Sequence, residues 1–227
     1  LAAELDGRTA GFIGIHDRDV IRGLGPLAID PDIQNKSIGG SLFSYAVNRS
    51  VNEGAAGTRF LQATWHNRTF ALYTKRGCDI RELMTNLQGK PINEKYAGYD
   101  VRPAEAGDIE ACDALCLHAH GHTRHNELAD AIASGSAMVV ERDGRITGYT
   151  TAIAFFGHSV TETNDDLKAL IAAAPEFGGP GFLLPARNSQ LFRWCLSKNL
   201  RVVQQLTLMT QGLYNEPRSP YLVSIYY

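Results

Sequence analysis

Apolar and polar positions follow two periods along this chain. Alternation at 1–5, 9–16 and 20–30 predicts strands, followed by a helix over 38–53, a strand over 59–65, a helix over 68–76 and a strand over 78–87. Within 38–53, Ile38, Leu42 and Ala46 share one helical face with Phe43, Val47 and Val51 beside them, the stripe of a helix laid on a sheet. Farther on, the pattern predicts a strand over 99–102 and a helix from Pro103-Ala104-Glu105 to about Leu117. A helix over 127–133, a hairpin over 137–154, a helix over 164–174, a strand over 181–186, a helix over 189–199 and strands over 201–210 and 221–227 complete it.

The pattern repeats. Glu4-Leu5-Asp6-Gly7-Arg8-Thr9-Ala10-Gly11-Phe12 returns as Glu141-Arg142-Asp143-Gly144-Arg145-Ile146-Thr147-Gly148-Tyr149, an offset of 137. In each, Asp-Gly supplies the positive φ angles of a tight hairpin turn. Phe60-Leu61 through Gln88-Gly89 returns as Phe182-Leu183 through Gln211-Gly212, an offset near 122. The second copy is therefore shorter between hairpin and later strand, the interval in which the first holds a glycine-containing loop. A strand and two helices precede the hairpin of the second copy and none precedes that of the first, so the first copy is expected to lack them. The turn-rich stretch Gly89–Lys95 places the boundary between domains 1–95 and 96–227.

Composition narrows the class. The chain has 227 residues, 44% of them hydrophobic, enough for one large or two small cores. A net charge of −2 gives no reason to expect nucleic acid or an anionic membrane as partner. No apolar run approaches the ~18 residues that span a bilayer, and there is no signal-peptide pattern. Four cysteines without framework spacing predict reduced thiols and a cytoplasmic protein.

Two segments carry candidate chemistry. Leu27-Ala28-Ile29-Asp30-Pro31 ends a strand, and Asp32-Ile33-Gln34-Asn35-Lys36-Ser37-Ile38-Gly39-Gly40 leads into a helix. Backbone N–H groups from Asn35 to Gly40, with the positive end of the helix dipole, suit a pyrophosphate. Gly39 and Gly40 allow close approach, Ser37 can cap the helix and donate to phosphate, and Lys36 adds charge. The plain alternative is a capped strand-to-helix connection. The second segment is Trp65-His66-Asn67-Arg68-Thr69-Phe70-Ala71-Leu72-Tyr73-Thr74-Lys75-Arg76-Gly77-Cys78. Tyr73 is either a core aromatic with its hydroxyl bonded or a proton donor.

Together these segments resemble the signatures of the GNAT N-acetyltransferase superfamily. The first is similar to Gln/Arg-x-x-Gly-x-Gly/Ala after a strand end, with Gln34 and Gly39 matching and Ser37 where the first glycine belongs. The second is similar to Asn…Leu-Tyr-x-Lys-x-Gly-Phe, with Cys78 in place of the phenylalanine. Seven positions before Tyr73 stands His66, so His66 or Asn67 takes the asparagine's role. The resemblance implies an α/β fold of two GNAT-like domains, each a splayed mixed sheet flanked by helices. It also implies acetyl-CoA held by Leu27, Ala28, Ile29, the Gln34–Gly40 loop and His66 or Asn67. A primary amine of a small molecule or peptide would attack the thioester directly in a ternary complex, and Tyr73 would protonate the departing thiolate.

In the second copy Asn188 stands at the His66 position and Cys195 at the Tyr73 position, with no glycine loop before them. That copy is expected to lack cofactor capacity and to complete the fold, shape the acceptor pocket or dimerise. Cys112, Cys116, His118, His120, His122 and His125 are residue types that bind zinc, but their spacing fits no zinc pattern. His120-Gly121-His122 either lines the acceptor pocket or forms a solvated loop. His16, Asp17 and Asp19, or a group from the second copy, are candidates for the general base. The rival reading is a non-catalytic acyl-CoA-binding or regulatory module, which would bind the cosubstrate and release no thiol.

Overall fold

The structure is a computed structural model that describes residues 1–34 and 36–226. Asn35, one of the expected loop residues, lies outside them. The described chain forms two compact units. The first comprises Leu1–Arg81, Leu208–Tyr214 and Tyr226; the second comprises Glu82–Thr207 and Asn215–Ile225.

In the first unit β1 (Ala2–Leu5), β2 (Arg8–His16) and β3 (Ile21–Ile29) form an antiparallel meander, and β4 (Gly57–Ala63) follows β3 in parallel. Asp6 and Gly7 take φ angles of 51° and 75°, the two positive values that the hairpin reading required. β3 and β4 pair only at Ile21–Gly23 with Gly57–Arg59. Beyond Gly23 the two strands part, leaving the Leu24–Ile29 edge of β3 without a strand partner on that side among the described residues. α1 (Ile38–Asn52) crosses the sheet and buries Leu42, Phe43, Ala46 and Val47 against Ile13, Leu24, Phe60 and Met209. α2 (Asn67–Thr74) ends where Gly77, at φ 82°, turns the chain toward β5 (Asp79–Gln88). The far strand neighbour of β4 is the 208–212 end of β11 (Arg201–Gly212).

The second unit repeats the plan. β6 (Asp100–Pro103) precedes α3 (Ile109–His120) and α4 (His125–Ala133), then the hairpin of β7 (Met138–Arg142) and β8 (Arg145–Thr150), with Asp143 and Gly144 at φ 54° and 74°. β9 (Ser159–Thr161), α5 (Asn164–Ala173), β10 (Phe182–Pro185), α6 (Ser189–Ser197) and β12 (Tyr221–Leu222) follow. The order across one sheet is β12-β9-β8-β7-β6. One core packs α5 and α6 around Leu87, Phe182 and Leu184; another packs α3 and α4 on Val139 and Tyr149.

Three local expectations are corrected. The helix expected from Pro103-Ala104-Glu105 starts at Ile109, because residues 106–108 form a 3-10 turn closed by a capping box between Glu105 and Asp108. The strand expected over 221–227 spans Tyr221–Leu222, and β9 was not anticipated. His120 and His122 are buried, 3% and 5% exposed, rather than part of a solvated loop. No helix among the described residues is long and apolar enough to cross a membrane.

Candidate functional site

A cavity of about 450 Å³ lies in the first unit where β3 has parted from β4. Leu27 and Ile29 line it from β3, Gln34 and Ser37 from the loop, Ile38, Gly39 and Gly40 from the first turn of α1, and His66 and Tyr73 from the cap and body of α2. Nine of the expected residues thus share one space. Ala28 does not line it, since strand alternation turns its side chain to the opposite face, and Asn67 and Lys36 do not line it either. Lys36 borders a separate groove with Leu1–Leu5 and Tyr45. Arg68 and Lys75 are the cationic residues lining the cavity.

The loop is built from local rules. Asp30 accepts the Asp32 N–H (2.9 Å) to start a 3-10 turn at Pro31, and Gln34 Nε2 donates to the Ile29 carbonyl (3.5 Å). Ser37 precedes α1 at φ 62°, and its hydroxyl makes no capping hydrogen bond. The expected serine cap is therefore overturned: the left-handed backbone places Oγ away from the helix N–H groups. A glycine takes that conformation without the cost of about 1 kcal/mol that a side chain incurs, which accounts for the glycine in the related pattern. With no cap from Ser37, the N–H groups of the first helical turn point out of α1. Gly40 allows a close approach: an added Cβ would lie 1.8 Å from Arg76 Nη2, while Arg76 Nε donates to the Gly40 carbonyl (3.2 Å). Arg76, unmarked by any sequence pattern, braces the loop from the end of α2.

His66 is the N-cap of α2: the Thr69 N–H donates to His66 Nδ1 (3.3 Å). Asn188 does the same for α6, its side chain accepting the Leu191 N–H (3.3 Å). The two residues are thus structural equivalents, and Asn67 is simply the first residue of its helix. Because Nδ1 accepts, the ring proton of neutral His66 sits on Nε2.

Tyr73 is 7% exposed, its ring 4.7 Å from Phe43 and 4.6 Å from Phe60. Its hydroxyl makes no hydrogen bond among the described residues, and burial, with the Cys78 thiol nearby, pushes its pKa up to about 12. Burial, aided by Asp79 and opposed by Arg76, likewise pushes Cys78 up to about 11. Tyr73 therefore holds its proton at any physiological pH. Of the base candidates, His16 stacks on Tyr226 (5.2 Å). Cys112 and Cys116 are fully buried in the α3–α4 core, and the described residues contain no group of three or more His, Cys, Asp or Glu arranged to hold a metal.

A splayed sheet with a helix N-terminus aimed into the gap defines the fold class, a mixed α/β sheet flanked by helices. Residues 1–78 match the model of the acetyltransferase (GNAT) family. The match covers the first copy, about a third of the chain. The fold is similar to a putative acetyltransferase from Pyrococcus horikoshii (TM-score 0.77, 14% identity, 98% of this chain and 77% of that one). It is also similar to a GCN5-related N-acetyltransferase from Sphaerobacter thermophilus (TM-score 0.58, 15% identity, 93% of this chain and 79% of that one). A tandem GNAT protein from the clavulanic acid biosynthesis pathway aligns with a TM-score of 0.51 at 12% identity, over 93% of this chain and 81% of that one. No curated protein matches the sequence.

Proposed function

We propose that the chain is an N-acetyltransferase that moves the acetyl group of acetyl-CoA to a primary amine of a small molecule or peptide, with the first copy as the competent one. The observation that carries this reading is the single cavity lined by residues of both sequence signatures, from Leu27 to Tyr73. The residues fit the group. The free edge of β3 at Leu27–Ile29 suits the amides of a pantetheine arm, and the uncapped first turn of α1 suits a pyrophosphate, with Arg68 and Lys75 adding charge. Acetyl-CoA, when bound, supplies an activated thioester. His66 lines the same space. Tyr73 keeps its proton at Oη, and its raised pKa suits it to donate a hydrogen bond to developing negative charge rather than to give the proton up in the ground state.

The test has two arms. Acetyl-CoA should raise the melting temperature of the chain, and an amine panel should then reveal one class that releases free thiol. Binding without thiol release from any amine would replace this reading with a non-catalytic acyl-CoA-binding module. Absence of both would remove acyl-CoA from the account.

A further inference from the structure

Strand pairing aligns the two copies residue by residue. In the first, Gly11, Phe12 and Ile13 lie opposite Ile29, Ala28 and Leu27; in the second, their counterparts Gly148, Tyr149 and Thr150 lie opposite Thr161, Val160 and Ser159. Ser159–Thr161 is therefore the counterpart of Leu27–Ile29, the edge that borders the cavity in the first copy. In the second copy that edge is covered by the chain itself. Tyr221 and Leu222 pair antiparallel with Val160 and Ser159, and the Thr161 N–H donates to the Pro220 carbonyl (3.0 Å). On the other side the Val223 N–H donates to the carbonyl of Leu183 (3.1 Å), which lies on β10, the counterpart of β4. Ile225 N–H donates to Phe155 (2.8 Å) and the Ser224 hydroxyl to Phe156 (3.1 Å). Tyr221, Leu222, Val223 and Ser224 are all at most 4% exposed.

We infer that residues 220–225 are a built-in occupant of the second copy's acyl-CoA slot. Their peptide amides do against Ser159–Thr161 what the amides of a pantetheine arm would do against Leu27–Ile29. The inference rests on the reading of Leu27–Ile29 as the acyl-CoA edge. A tethered segment gives up no translational freedom when it pairs, whereas a free ligand does, so the segment outcompetes acyl-CoA for its slot. The second copy is closed by its own backbone as well as lacking a glycine loop, and the chain takes up one acyl-CoA.

The experiment titrates the whole chain with acetyl-CoA by calorimetry and follows amide exchange by mass spectrometry with and without that ligand. One equivalent should bind, and peptides spanning 220–225 should exchange about 100-fold or more slower than an unstructured chain, within about two-fold the same in both conditions. Two equivalents, or protection of 220–225 that arises only with acetyl-CoA, would overturn the inference and leave the proposed function standing. A chain that binds no acetyl-CoA overturns the proposed function and this inference with it. Val223→Pro removes the donor to Leu183 and should speed exchange of 220–225 about ten-fold while acetyl-CoA affinity stays within about two-fold. Unchanged exchange in that variant would count against the slot being held this way, and the wild-type measurements decide the matter if the variant fails to fold.

Discussion

Tyr73→Phe separates the proton from the packing. The ring is held between Phe43 and Phe60, and phenylalanine keeps that contact. No hydrogen bond of the hydroxyl is lost within the described chain, so stability at pH 7 should change by less than about 1 kcal/mol. The alkaline range behaves differently. A tyrosine in the unfolded chain ionises near pH 10, whereas folded Tyr73 does so at about 12. The unfolded state therefore releases its proton first. The stability linked to that proton is fully present below pH 10 and is lost as pH rises toward 12, a swing of about 3 kcal/mol. Urea unfolding between pH 8 and the alkaline limit should show wild type losing stability more steeply than Tyr73→Phe. Cys78 contributes in the same direction in both proteins. In a thiol-release assay at pH 7 the variant should lose about 100-fold in kcat with the KM for acetyl-CoA within about two-fold. Equal turnover in a folded variant would remove the donor role, and parallel stability curves would refute the burial argument.

Other perturbations probe other parts of the molecule. His66→Ala should cost about 1 kcal/mol by uncapping α2, while His66→Asn should restore stability as Asn188 does for α6 yet keep weaker acetyl-CoA binding, read by melting temperature and calorimetry. Arg68→Glu should weaken acetyl-CoA binding about ten-fold, and Lys36→Glu by a much smaller factor, because Arg68 lines the cavity and Lys36 borders a separate groove; equal losses would move the phosphate end toward Lys36. In the second unit, burial disfavours the Glu127 carboxylate, but Arg124 and His158 outweigh it and hold its pKa well below the ordinary range. The stability it supplies is present above the ordinary carboxylate pKa and is lost as pH falls below it. Glu127→Gln should cost about 3–5 kcal/mol at pH 7 by leaving Arg124 buried without its charge partner, measured by urea unfolding.

What was legible in the sequence was what depends on neighbours in the chain. The α1 stripe and both Asp-Gly turns follow from period and local φ, and the offsets of the repeat align the two copies. β9 was invisible because it is three residues long and pairs with Tyr221–Leu222, some sixty positions away. Ser37 was read as a cap because serine before a helix usually is one. Its place at the glycine position of the motif was the signal that its backbone, rather than its hydroxyl, mattered. Arg76 could not be found by pattern, since its contact with Gly40 is made in space by an unremarkable arginine at a helix end. Lys36 stood in the right segment, but the turn at Pro31 directs it to another groove.

The first unit takes a strand from residues 208–214, where the Leu213 N–H donates to the Ala56 carbonyl (2.9 Å) and Met209 joins the core. During synthesis residues 1–81 must therefore wait for residues 208–214 to emerge before their sheet can close. Its completion requires contacts of very high sequence separation, the slow kind, whereas most of the second unit is already in hand by then. The unit that carries the cavity cannot close until 208–214 is made, so a chain cut before Leu208 would present an open β4 edge.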